Sequence, residues 1–61
     1  MAETLEQQIV MCQRRMALIA ALIEEERSAG LNTEDAERVL ALEARLLKLL
    51  QDMARADPAE G

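Results

Sequence analysis

The sequence predicts an all-α protein: an antiparallel two-helix hairpin that dimerises into a four-helix bundle. Three observations carry this expectation. Apolar residues recur at alternating spacings of three and four over two long stretches. A single internal glycine separates those stretches. Each stretch also carries about twice the apolar surface that one hairpin needs.

In the first stretch Leu5, Ile9, Cys12, Met16, Ile19 and Ile23 form a seam with the periodicity of packed helices. Thr4 followed three residues later by Gln7 reads as a capping box, in which each side chain satisfies an amide that the first turn leaves unbonded. Helix 1 is therefore placed at about residues 3–28. Gly30, just beyond it, is read as the left-handed residue that ends it. The turn is placed at 29–32.

Asn32 or Thr33 can cap the second helix, and Glu34, Asp35 and Glu37 suit its positive end. Val39, Leu42, Leu46, Leu49 and Met53 repeat the seam spacing, which places helix 2 at about 33–55. Residues 56–61, containing Asp57-Pro58, read as a frayed tail. A turn this short forces the helices to run antiparallel as a single domain. Residues whose numbers add to about 62 are then expected at the same level, which sets Glu43 beside Ile19.

Angular position at about 100° per residue shows the surplus. Met11, Leu18 and Leu22 lie about 120° from the helix 1 seam. In helix 2 a second row, Ala36, Leu40, Leu47, Leu50 and Ala54, widens the apolar arc to about 180°. The two seams are taken as the core of the hairpin. Met11, Leu18, Leu22, Leu40, Glu43, Leu47 and Leu50 are taken as the interface through which hairpins associate. Size points the same way, because below about 70–80 residues one core rarely supplies more than about 3–5 kcal/mol. With one cysteine and no histidine among 61 residues, neither an intrachain disulfide nor a structural zinc site can supplement it.

Composition excludes several functions. A net charge of −5 without aromatic residues opposes binding to nucleic acid, and the same charge opposes an anionic membrane surface. The longest apolar run, Met16 to Ile23, is far short of the roughly 20 residues of a membrane span. The acidic start Met1-Ala2-Glu3 lacks the basic opening of a secretory leader, so a cytoplasmic location is expected. Catalysis is not expected. Cys12 has no histidine to activate it, and it is read as a small core hydrophobe. The carboxylates lack the Glu-x-x-His pairs of di-iron bundles, so neither metal nor cofactor is expected.

Two acidic features remain. Glu24, Glu25, Glu26, Glu34, Asp35 and Glu37 give the hairpin tip most of the chain's negative charge. They read as a solvated end or as a docking point for a basic partner. Glu43 falls inside the apolar arc of helix 2, where an unpaired carboxylate is expensive. Its head is expected to reach water or an arginine such as Arg15. The alternative is that it fixes register or meets a basic group of a partner.

Two helices of this length, one short turn and an acidic tail resemble the plasmid copy-number regulators of the Rop family, which are dimers of helical hairpins. That resemblance would imply RNA binding, but the basic and aromatic residues that contact RNA there have no counterpart in this chain. Leu40-Ala41-Leu42-Glu43-Ala44-Arg45-Leu46 is similar to the second helix of the small needle co-chaperones of type III secretion. The expected function is that of a non-catalytic protein-interaction module: a bacterial or phage regulator, inhibitor or adaptor that binds itself, a larger protein, or both. A secretion co-chaperone or a structural subunit of a larger complex is the alternative, and charge opposes an RNA-binding regulator.

Overall fold

The computed structural model describes residues 3–56, which form two helices, α1 (Leu5–Ser28) and α2 (Glu34–Ala56), packed against each other. The described residues contain no strand. Residues 57–61 of the expected tail lie outside the described residues, and Ala56 belongs to α2.

Helix α1 begins on the capping box read from the sequence. The Thr4 hydroxyl accepts from the Gln7 amide at 3.1 Å, and the Thr4 amide donates to the Gln7 side chain at 2.9 Å. At its far end the Leu31 amide donates to the Glu26 carbonyl at 2.8 Å and the Gly30 amide to Arg27 at 3.0 Å. This is a Schellman closure, and it needs a left-handed residue, supplied by Gly30 at φ 79°. Asn32 and Thr33 share the start of α2. The Asn32 side chain accepts from the Glu34 amide at 2.8 Å, while the Thr33 carbonyl accepts from Glu37 at 2.9 Å.

The register of the helices differs from the symmetric expectation. Glu43 lies beside Cys12 and Arg15, one to two turns further from the tip than Ile19. The physical reason is the connection. Leu31–Thr33 are non-helical and can span up to about 10 Å, against about 4.5 Å for three helical residues. They carry the chain back along α1 before α2 starts.

The α1 seam faces α2: Cys12 and Ile23 are buried, and Leu5, Ile9, Met16 and Ile19 are half-buried. On α2 the packed row is not the one expected. Leu50 is buried, and Ala36, Leu40, Glu43 and Leu47 are half-buried, so this row faces α1. Val39, Leu42, Leu46, Leu49 and Met53, expected as core, are exposed in the single hairpin. Leu40, Glu43, Leu47 and Leu50, expected on an intermolecular interface, pack within the chain. Spacing alone could not choose between rows about 100° apart on one apolar arc.

The Gly30 position has room for a side chain, since an added Cβ would meet nothing within 4 Å. Its requirement is one of conformation. Gly30→Ala is expected to lower stability by about 1–2 kcal/mol, with Gly30→Asn losing less because asparagine tolerates the left-handed region. Thermal melts read this order, and equal midpoints for the three proteins would remove Gly30 from the account of the turn.

Candidate functional site: an apolar face beside a carboxylate clasp

Three side chains join the helices near mid-height. The Glu43 carboxylate accepts from Arg15 Nε at 3.2 and 3.3 Å through its two oxygens. The Cys12 thiol lies 3.3 Å from both the Glu43 carbonyl and Glu43 Oε1, and it donates toward them. The packed row of α2 thus contains a carboxylate, but one with partners on the facing helix. Arg15 remains about half exposed, whereas Glu43 is mostly covered.

The clasp also fixes the chemistry of the single cysteine. Burial pushes the Cys12 thiol above its ordinary range, the neighbouring Glu43 carboxylate pushes further, and Arg15 opposes this weakly. A fully buried, protonated thiol is a poor nucleophile. Among the described residues no group of three or more His, Cys, Asp or Glu could hold a metal ion.

The larger feature is a continuous apolar face. Large apolar side chains are exposed at Met11, Leu18 and Leu22 on α1 and at Val39, Leu42, Leu46, Leu49 and Met53 on α2. Each strip is turned about 100–120° from its own packed row. Because the helices run in opposite directions, those rotations bring both strips to the same side of the hairpin. A shallow groove lined by Met11 and Arg15 of α1 together with Leu46 and Leu50 of α2 lies on this side. The opposite side carries Val10, Gln13, Ala17, Ala20 and Glu24 facing outward with Glu37, Ala44, Lys48 and Gln51. Val10 apart, one face is therefore apolar and the other small or polar. Exposed apolar patches of this extent mark interaction surfaces.

Of the interface residues read from the sequence, Met11, Leu18 and Leu22 lie on this face. Glu43 lies beneath it, in the clasp. The five α2 residues of the face carried a clear signal, the seam spacing, but were assigned to the inside. The acidic tip is partly cross-linked: Arg27 pairs with Glu24 at 3.3 Å and with Glu37 at 3.2 Å, and the Thr33 hydroxyl donates to Glu37 at 2.7 Å. No helix among the described residues is long and apolar enough to cross a membrane. No protein-family model, curated protein or solved structure matches the chain.

The raised Cys12 pKa makes a pH prediction. The thiol stays protonated longer in the folded chain than in the unfolded one, so the unfolded state loses its proton first as pH rises. The contribution is complete below the ordinary thiol value of 9.0 and is lost above it, up to the higher folded value. Denaturant melts between about pH 8 and 11 are expected to show stability falling with pH, with a shallower fall in Cys12→Ala. Parallel profiles for the two proteins would contradict the buried, protonated thiol.

Proposed function

We propose that the chain is a non-catalytic protein-interaction module that binds through the apolar face of Met11, Leu18, Leu22, Val39, Leu42, Leu46, Leu49 and Met53. It does so as a dimer of hairpins, a four-helix bundle in which each helix gains a second neighbour. The observation that carries this reading is that both helices leave their surplus apolar strips on one side of the hairpin.

Energetics support it. Among the described residues only Cys12, Ile23 and Leu50 are buried, a small core for two helices of 24 and 23 residues. The exposed strips run from Met11 to Leu22 and from Val39 to Met53, about 17 and 21 Å at a 1.5 Å rise. Each large apolar side chain removed from water there contributes up to about 1.5–3 kcal/mol. The lone thiol, buried and protonated, supports the non-catalytic part of the reading.

A regulator, inhibitor or adaptor would use such a dimer as its folded scaffold, and a subunit of a heteromeric complex would bury the same face against a different chain. Sedimentation equilibrium separates these. The full chain is expected to run as a dimer at micromolar concentration. Leu46→Glu is expected to weaken association at least tenfold, while Ala17→Glu on the opposite face leaves it unchanged. Helicity should fall with dissociation in Leu46→Glu. A cooperatively melting monomer in the parent chain would overturn the proposal.

A further inference from the structure

The two apolar rows of α2 are not equal, and the hairpin packs the poorer one. The row against α1 holds Ala36, Leu40, Glu43, Leu47 and Leu50. The row left outside holds Val39, Leu42, Leu46, Leu49 and Met53, each a large apolar side chain. Exchanging the rows would replace an alanine and a carboxylate by two more large apolar side chains inside the hairpin. Apolar burial taken alone therefore favours the packing that is not observed.

A single polar site opposes it. Arg15 Nε donates to both Glu43 oxygens at 3.2 and 3.3 Å, and the Cys12 thiol donates toward Glu43 Oε1 and the Glu43 carbonyl at 3.3 Å. Glu43 is mostly covered there, so it needs those partners. In the exchanged packing it would turn to solvent and need none. The rest of the hairpin resists a roll of α2 about its own axis only weakly. Leu31–Thr33 are non-helical and can absorb the rotation, as short connections at hinges do. The Arg27–Glu37 pair at the tip is about half exposed on both sides and constrains little. Both rows carry the spacing that fits the α1 seam.

We infer that the Arg15–Glu43–Cys12 clasp is a latch between two packings of α2. Latched, α2 keeps Leu42, Leu46 and Leu49 outward. Released, it rolls by about 100° and turns those side chains onto α1. The same roll carries Leu40, Glu43, Leu47 and Leu50 to the opposite side of the hairpin from Met11, Leu18 and Leu22, so the continuous apolar face is lost. Two compact packings separated by one polar contact form a conformational switch. The latch stands on the hairpin alone, while its effect on association rests on the protein-binding reading of the outer face.

Arg15→Met tests it on the full chain, because methionine keeps the helix propensity of the site and removes the cation. Nuclear Overhauser contacts from the methyls of Ile9, Ile19 and Ile23 report which row lies inside. In the parent they are expected to reach Leu40, Leu47 and Leu50. In Arg15→Met they are expected to move to Leu42, Leu46 and Leu49. Arg15→Lys keeps a cation beside Glu43 and is expected to keep the parent's contacts. Unchanged contacts in Arg15→Met overturn the latch, and so does the same change in both variants. An Arg15→Met chain that fails to fold also overturns it, since the second packing would then be unable to hold the hairpin. Sedimentation adds a readout of opposite sign. Without a roll, a methionine beside Met11 and Leu46 would strengthen association through the apolar face. With the roll, association is expected to weaken by at least about tenfold, because large apolar side chains of α2 leave the interface. A parent chain that sediments as a monomer would end the protein-binding reading, and the methyl contacts would still decide the latch.

Discussion

A carboxylate in an otherwise apolar row organises this hairpin. Glu43 could have pointed outward only if α2 were rotated to present Leu42, Leu46 and Leu49 to α1. The structure turns Glu43 inward, where Arg15 spans both its oxygens and the Cys12 thiol reaches its carbonyl and one oxygen. A mostly covered carboxylate is tolerable when it is paired and hydrogen-bonded, as Glu43 is by Arg15 and Cys12. The rotation that satisfies Glu43 is the one that leaves five large α2 side chains on the outside. The clasp and the exposed face are thus two results of one helix orientation.

That orientation leaves an imbalance which the proposed association would correct. Two helices with three buried residues between them sit near the limit of what a hydrophobic core can hold together. The side chains that would normally complete the core are present, but they point to solvent along a single face. Pairing two such faces gives each helix a second neighbour without any change within the hairpin. Arg15 and Glu43 lie at the edge of this face, so association would also shield their ion pair from water. An ion pair already bonded within its own chain brings no unpaired charge to an interface.

The residues with chemical potential are used structurally. Cys12 acts as a small buried group with a weak hydrogen bond, and its protonation is held by burial and by Glu43. The tip acids are partly bonded among themselves through Arg27 and Thr33, which braces the turn, and the remaining charge is free to act over distance.

The sequence by itself determined the helices and their limits. Thr4, Gln7, Gly30, Asn32 and Thr33 are local signals, each acting within a few residues of its place in the chain, and each is used in the structure. The α1 seam was equally legible, because its six members recur at a spacing that only one helical face explains. The strip of Met11, Leu18 and Leu22 was legible as surplus for the same reason. The packed face of α2 and the level at which the helices meet were decided by the tertiary structure. Both rows of α2 satisfy the same periodicity, so local pattern carries no information about which row turns inward. That choice depends on Arg15 and Cys12, about 30 residues from Glu43, and on how far Leu31–Thr33 carry the chain before α2 begins. Contacts between distant residues, and the path of a non-helical connection, have no signature in spacing.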